Sequence, residues 1–376
     1  MKSETKGERL FSLDLLRGFD MLFLLVVEPI VSAWHRAYRG FDYTPAAFAA
    51  NPVMRQMTHN WSGFTCYDVI MPLFIFMCGA AVPFALKKRL DAEGRPTSAF
   101  WKHVLFRVVL LWVLGMIAQG QLLTLDPMKV SPYNNTLQTI AAGYLVAALL
   151  LLVRRRWIRI AVPIALMFGY GLALCLWGDW TEDGNLAQVV EQKCVAFFCP
   201  VGSEAFKTSP YTWFLTTPMF GFMTMCGLFS TEILSSALSA WRKAGSLAVL
   251  GVGLWAAGFA AELCGIPCNK PIFTPSFTCQ AMGVCVLLLA ALYVVADIWR
   301  LRRGWWLVTL FGQTALAAYM LGDVFPCVQR AAAQAFCQGL PRLCGEKLSL
   351  VLTQVVACAT LAFALWVWRN ARRAKR

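Results

Sequence analysis

The segment YDVIMPLFIFMCGAAVPFAL, residues 67–86, decides the fold class of this chain. Its only charged side chain is Asp68, near its first residue. A helix of about twenty apolar residues is long enough to cross the ~30 Å hydrocarbon core of a bilayer. We therefore predict that residues 67–86 form a membrane-spanning helix.

Similar apolar runs recur along the whole chain. The sequence is 59% hydrophobic and only 14% charged, with a mean hydropathy of +0.58. Soluble domains contain about 25% charged residues. We predict an all-α polytopic membrane protein in which a single domain, residues 1–376, has about ten spans. These are 14–34, 67–86, 104–121, 136–153, 158–177, 211–230, 244–263, 277–297, 305–325 and 348–368.

The positive charges are distributed unevenly between the two faces of this topology. Most of the 34 Lys and Arg residues fall in the two termini and the alternate short loops. Basic residues accumulate on the cytoplasmic side, so both termini are predicted inside. The net charge of +14 then mainly reflects the orientation of the chain in the membrane. The lipid bilayer is an expected partner, and no nucleic acid is expected to bind. The outer loops are predicted at 35–66, 121–135, 178–210, 264–276 and 326–347.

Cysteines agree with this orientation. Apart from Cys66, which lies at the boundary between an outer loop and a span, seven of the 14 cysteines lie in predicted outer loops, and none lies in an inner loop. Disulfides persist in oxidising compartments such as the periplasm, so the outer cysteines are expected to form disulfides, although their connectivity stays open. A four-cysteine zinc site is the alternative, but paired C-x2-C spacing is missing and no metal is expected. The loop cysteines are Cys194, Cys199, Cys264, Cys268, Cys327, Cys337 and Cys344.

Charged side chains line one side of the first predicted span. On a regular helix of about 100° per residue, Asp14, Arg17, Asp20 and Glu28 share an arc of roughly 120°. Lipid does not tolerate such a stripe, so it is expected to face a cavity inside the protein. The alternative is an ion pair of Arg17 with a neighbouring aspartate that only packs helices.

His59 is the strongest candidate for proton transfer. The chain contains three histidines, and His35 and His103 read as interfacial or solvated residues. His59 precedes the span that carries Asp68 and is predicted on the outer face. Imidazole titrates near neutral pH, which suits a general base or a nucleophile. Glu28 is the predicted carboxylate partner of His59, and Asp68 is predicted to orient the ring or cap the helix.

Several segments resemble the heparan-α-glucosaminide N-acetyltransferase family of transmembrane acyltransferases. They are SLDLLRGFDM at 12–21, His59 with WSGFTCYDVIMPLFIF at 61–76, NTLQ at 135–138, NKPIFTPSF at 269–277 and FGQTALAAY at 311–319. The resemblance implies transfer of acetyl from cytosolic acetyl-CoA to an amino sugar or glycan end across the membrane. It also implies that His59 is catalytic, as a general base or as a carrier of the acetyl group.

Further site residues are predicted on both faces. The cofactor is negative and is expected to enter from the basic inner face, where Arg17 and Arg107 would meet its phosphates beside Asp14. On the outer face, polar residues at the ends of spans are predicted to bind the substrate; they are Asn135, Gln138, Asn269 and Lys270.

Three positions depart from the family pattern. Glu28 stands where animal members carry Asn, His59-Asn60-Trp61 is one residue shorter than the usual spacing, and Thr139 replaces an Arg. The location expected from the resemblance is a bacterial inner membrane.

A sugar or oligosaccharide transporter is the alternative function, because a polar stripe across the membrane also serves permeation. The sequence gives no sign of an inverted repeat or of a short broken helix pair, which many transporters have. It leaves the oligomeric state open, with a homodimer among the candidates.

Overall fold

A computed structural model describes residues 10–40, 44, 47, 50–206 and 211–374. The basic residues Lys2, Lys6, Arg9, Lys375 and Arg376, and parts of the predicted outer loops 35–66 and 178–210, lie outside this set. The molecule is about 75% helical, and no strand occurs in the ranges described. The predicted all-α class is therefore confirmed.

Fifteen α-helices are named here within the described residues. They are α1 Phe11–Leu22, α2 Glu28–Arg39, α3 Pro52–Arg55, α4 Ile70–Leu86, α5 Ser98–Ala118, α6 Thr136–Leu151, α7 Arg156–Trp177, α8 Leu186–Phe198, α9 Thr217–Leu234, α10 Ala240–Leu263, α11 Pro275–Tyr293, α12 Trp306–Gln313, α13 Ala315–Tyr319, α14 Cys327–Cys337 and α15 Leu340–Ala374. Three π-helical turns interrupt or extend them, at Phe23–Val27, Val294–Ile298 and Met320–Val324.

Six helical segments are long and apolar enough to cross a membrane, counting only the described part of the chain. They are Cys66–Arg89, Ser98–Ala118, Arg156–Trp177, Ala240–Leu263, Pro275–Ile298 and Leu340–Ala374. This agrees with a multi-pass membrane protein. Each of the ten predicted spans overlaps a helix, although residues 211–216 of the span predicted at 211–230 are not helical. Helix α6 is only 16 residues long, and the count of ten crossings stays a prediction.

The predicted span at 305–325 is broken. The segments Trp306–Gln313 and Ala315–Val324 meet at an angle of 87°. Our expectation that the chain lacks a short broken helix pair was therefore wrong. The break falls at Thr314, whose hydroxyl donates to the Leu310 carbonyl. A side-chain hydrogen bond to the carbonyl four residues earlier often bends a helix.

The chain divides into two compact units, and the boundary falls within α11. Unit 1 comprises Met1–Met57 and Leu288–Arg376, and unit 2 comprises Thr58–Leu287. The prediction of a single membrane domain is not tested by this division. Each unit is described separately below.

In unit 1, α1 packs closely on α12 through two glycines. A Cβ added to Gly18 would lie 1.9 Å from the Val308 carbonyl oxygen, and one at Gly312 would lie 2.1 Å from the Asp14 oxygen. Only glycine permits such backbone contact. The Asp297 carboxylate caps α1, because its oxygens accept from the Phe11 and Ser12 amides at 3.3 and 3.1 Å.

The polar stripe predicted on the first span is interrupted by the π turn Phe23–Val27. A π-helix bonds i to i+5, so this turn takes up roughly one extra residue and rotates Glu28 by on the order of 100° relative to Arg17. A regular helix was the wrong assumption here. Asp14 and Asp20 are buried, whereas Glu28 is half-buried and accepts from the Ser32 hydroxyl at 2.6 Å.

Unit 2 is built around α4, α6 and α9, which approach closely at glycines. A Cβ at Gly79 of α4 would lie 1.8 Å from the Thr224 oxygen of α9, and one at Gly227 would lie 1.9 Å from the Phe76 oxygen. Gly143 of α6 meets the Thr224 hydroxyl in the same way. Small residues let membrane helices pack backbone to backbone, so these three helices form a rigid support for the loops at their ends.

The predicted outer-loop disulfides are not formed. The structure describes all seven loop cysteines and joins none of them by a disulfide. Cys194 lies in α8 and Cys199 directly follows it, and side chains five residues apart on a helix point about 140° apart. The Cys268 thiol is buried and donates to Gln280 Oε1 at 3.8 Å, while Cys264 is exposed. This expectation was wrong.

Candidate active site

Two loops of unit 2 meet at the candidate active site. The first carries His59 and ends at Thr65, before α4; the second runs from α10 to α11 and carries Lys270. The Gly63 amide donates to the Cys268 carbonyl at 2.8 Å and ties the loops together. Gly63 has a φ of +99°, a conformation that favours glycine.

Asp68 holds the first loop in place. Its Oδ2 accepts from the Thr65 amide at 2.9 Å and lies 2.8 Å from the Thr65 hydroxyl, which forms a capping box. Its Oδ1 lies 2.7 Å from His59 Nδ1, and the side chain is fully buried. Asp68 thus both caps the 3-10 turn that leads into α4 and orients the imidazole, the two functions predicted for it.

Lys270 is the third member of this cluster. Its Nζ lies 2.9 Å from His59 Nδ1, 3.2 Å from His59 Nε2 and 3.4 Å from Asp68 Oδ1. The side chain is only 2% exposed, so the ammonium group is buried against the imidazole and the carboxylate. Burial lowers the pKa of Lys270 to about 8, although Asp68 acts in the opposite direction.

Hydrogen-bond bookkeeping fixes the tautomer of His59. Asp68 cannot donate when ionised, so the 2.7 Å contact requires the proton on Nδ1. Nε2 then carries the lone pair and can accept a proton. Although 32% of the side chain is exposed, burial lowers the pKa of His59, and the Lys270 charge lowers it further against the effect of Asp68. Burial and the Lys270 charge therefore favour the neutral form of the ring.

The second loop presents Lys270 through its own hydrogen bonds. Asn269 Oδ1 accepts from the Ile272 amide at 3.2 Å, and the hydroxyls of Thr274 and Ser276 donate to the Pro267 carbonyl at 2.8 and 2.7 Å. Phe273 adopts a φ of +44°, which is uncommon outside glycine. These contacts show that Asn269 supports the loop, and its predicted binding of substrate stays a prediction.

Two aromatic rings border the imidazole. The His59 ring centroid lies 4.8 Å from that of Tyr67 and 5.9 Å from that of Tyr211. The Trp61 indole donates to the Trp180 carbonyl at 3.1 Å, which attaches the loop 178–185 to this region. The two rings thus lie against the imidazole on two sides.

Asn135 and Gln138 organise a neighbouring loop. Asn135 Oδ1 accepts from the Leu137 amide at 2.7 Å as the N-cap of α6, and its Nδ2 donates to Gln119 Oε1 at 2.9 Å. Gln138 donates to the Pro132 carbonyl at 2.6 Å and accepts from the Asn134 amide at 2.9 Å. Both side chains are fully buried, so these polar groups are used within the protein.

The remaining predicted site residues are divided between the units. Glu28, Asp14 and Arg17 belong to unit 1, where Arg17 Nη1 lies 4.0 Å from Asp14 Oδ1. Arg107 belongs to unit 2, where its guanidinium lies 4.6 Å from the Tyr144 ring centroid and Nη2 lies 3.6 Å from the Cys78 sulfur. Within unit 2, the carboxylate that contacts His59 is Asp68.

A family model described as a domain of unknown function (DUF5009) matches residues 9–176. The matched part includes His59 and Asp68 but ends before Lys270. No curated protein matches this chain. The chemistry of the site therefore has to be argued from its geometry.

Proposed function

We propose that the chain is a transmembrane acetyltransferase that moves acetyl from cytosolic acetyl-CoA to an amino sugar or glycan end on the periplasmic side of a bacterial inner membrane. The observation that carries the proposal is the contact of His59 with Asp68 and Lys270. A neutral imidazole, a buried carboxylate that fixes its tautomer and a buried ammonium group are the parts that acyl transfer to an amine needs.

Each member of the cluster has a defined part in this reaction. His59 Nε2 accepts a proton from the acceptor amine as the nitrogen forms a bond to the thioester carbonyl carbon. The Lys270 ammonium stabilises the oxygen that becomes negative in the tetrahedral intermediate. When the C–S bond breaks, the imidazolium returns the proton to the leaving thiolate. Asp68 stabilises the imidazolium between these steps.

Basic residues at the inner end of unit 2 are suited to bind an anionic acetyl donor. Arg107 is half-buried, and apart from the Cys78 contact its N–H groups donate to no residue in the described ranges. Lys88 and Arg89 lie close enough to His103 to act on it electrostatically, together with Arg107. Guanidinium groups bind phosphate oxygens in a bidentate manner, so Arg107 is the residue of unit 2 that we assign to the acetyl-CoA phosphates.

Acetyl-CoA consumption by the purified full-length chain in nanodiscs, with D-glucosamine as acceptor, tests the proposal. Wild type and the matched histidine variant His35→Gln should transfer acetyl, whereas His59→Gln should be inactive at equal amounts of folded protein. Full activity in His59→Gln would remove the assigned mechanism. If wild type transferred acetyl to no amine acceptor, the proposed acetyltransferase activity would be rejected.

The broken span favours one alternative, a sugar or oligosaccharide transporter. Discontinuous helices often form the substrate and ion sites of transporters. Here the second half of the pair contains Asp323, which acts electrostatically on Glu28 together with Arg330, all within unit 1. Uptake of radiolabelled glucosamine into proteoliposomes without acetyl-CoA would support the transporter. Retention of label only as an acetylated product would support the transferase.

A further inference from the structure

A polar cavity lies in unit 2 beside the candidate active site. Its volume is about 240 Å³, slightly below the roughly 300 Å³ of the smaller ligand pockets. The segment before α6, the outer helix α8 and the segment that leads into α9 form its walls. Among the residues that line it are Tyr133, Asn134, Gln188, Glu191, Tyr211 and Trp213.

Glu191 is the buried charged group of this cavity, whose wall also contains the exposed Lys129. It is 7% exposed, and its Oε2 accepts from the backbone amides of Trp213 at 2.8 Å and Phe214 at 3.0 Å. Its Oε1 accepts no hydrogen bond from the described residues. Burial raises the pKa of Glu191 to about 7, although the two amides act in the opposite direction. One oxygen is thus fixed to the backbone and the other is available to a ligand.

Two further acceptors of the cavity wall lack partners. Asn134 Oδ1 and Gln188 Oε1 are buried, and neither receives a hydrogen bond within the described ranges. The Asn134 amide orientation is set by Nδ2, which donates to the Gln119 carbonyl at 3.1 Å. Buried polar atoms are nearly always paired in folded proteins. A group of unpaired acceptors around one cavity therefore calls for a ligand that brings several donors.

Aromatic rings connect this cavity to His59. Tyr211 and Trp213 both line it and stack at 5.8 Å between ring centroids, and Tyr133 lies 6.1 Å from Trp213. The Tyr211 ring meets the His59 imidazole edge to face at 5.9 Å. Tyr211 is therefore shared by the cavity wall and the surroundings of the base, and a ligand in the cavity lies one ring away from His59.

We propose that this cavity binds the acceptor, that it takes a monosaccharide-sized group rich in hydrogen-bond donors, and that the free oxygen of Glu191 accepts from one of its hydroxyls. Its assignment to the acceptor rests on the proposed acetyltransferase function. Tyr211 and Trp213 supply flat faces for a sugar ring. The unpaired oxygen of Gln188 accepts from one of its hydroxyls after a rotation of the Gln188 amide.

Calorimetric titration of the full-length protein in nanodiscs with D-glucosamine and with D-glucose tests the proposal. Glu191→Gln keeps the oxygen that binds the two amides but replaces the free acceptor by a donor. We expect it to bind both sugars about tenfold or more weakly than wild type does. Glu182→Gln, an exposed carboxylate shortly before α8, is the matched control and should bind like wild type.

Gln188→Met provides a second, independent readout. Removing an unpaired buried acceptor should raise the melting temperature of the ligand-free protein while weakening the binding of both sugars. A purely structural Gln188 would lower the melting temperature instead. That result overturns the ligand assignment, as does wild-type affinity in both variants or absence of glucosamine binding by wild type.

The binding measurement separates this proposal from the proposed reaction. His59→Gln should bind glucosamine with wild-type affinity, because His59 does not line the cavity. Binding in wild type without any acetyl transfer would leave the cavity assignment standing and reject the enzyme. Acetyl transfer with an unchanged KM in Glu191→Gln and Gln188→Met would reject the cavity and leave the enzyme standing.

Discussion

The position of the Lys270 ammonium, within 3.2 Å of both nitrogens of His59, controls the charge of the base. Burial lowers the pKa of His59 most, and the Lys270 charge lowers it further because a positive group at this distance opposes protonation of the ring. The same ammonium group titrates near the working pH, since its own pKa is lowered to about 8. One buried lysine thus sets both limits of the pH range in which the cluster is correctly charged.

Lys270→Met should therefore change the pH–rate profile as well as the rate. In wild type, activity is expected to rise as His59 loses its proton and to fall above pH of about 8 as Lys270 becomes neutral. In the variant the acid limb should move to higher pH, the alkaline limb should disappear, and kcat should fall about a hundredfold through the loss of oxyanion stabilisation. Steady-state acetyl transfer from pH 5 to 10 measures all three changes.

Lys193→Met removes an exposed lysine of the outer helix α8 and is the matched control for that experiment. It should leave the profile unchanged. A Lys270→Met profile of the same shape as wild type, with only a lower amplitude, would mean that Lys270 packs the loop and does not charge the site.

At the scale of elements, the sequence predicted helix positions better than helix interiors. The length of each apolar run predicted the helices that overlap the ten spans, because a helix that crosses the hydrocarbon core needs about twenty apolar residues. The π turn at Phe23–Val27 and the bend at Thr314 were missed, because both depend on local hydrogen bonds that hydropathy does not encode. Gln188 and Glu191 were also missed as site residues. They are three residues apart, and Val195 follows four residues later, so all three lie on the buried face of α8.

The N-cap of α6 separates a structural from a substrate-binding function of Asn135. The side chain caps the helix and bonds Gln119, so Asn135→Ala should lower the free energy of unfolding by about 1–2 kcal/mol. KM for the acceptor should stay unchanged in the protein that remains folded. Thr97→Ala, which removes the corresponding cap of α5, should show the same pattern. A selective rise in KM for Asn135→Ala would restore the predicted contact with substrate.

At the scale of the whole molecule, the orientation in the membrane rests on charge, and the free cysteines can check it. Cys264 and Cys327 are both exposed, neither forms a disulfide, and both lie in loops predicted to face the periplasm. In intact cells they should react with a membrane-impermeant maleimide without prior reduction. Mass spectrometry of the labelled peptides identifies the modified residues. A cysteine introduced by Ala237→Cys, in the exposed loop between α9 and α10, should react only after the membrane is permeabilised.

The experiment tests two assumptions separately, that these cysteines are free and that their loops face the periplasm. Labelling of Cys264 and Cys327 only after reduction would mean that oxidising conditions join them, as the periplasmic location alone first suggested. Labelling only after permeabilisation would invert the topology, placing His59 and the polar cavity on the same side as acetyl-CoA. In that case the enzyme would need no path for acetyl across the bilayer. The proposed chemistry of His59, Asp68 and Lys270 would be unaffected, but the proposed transfer of acetyl across the membrane would be rejected.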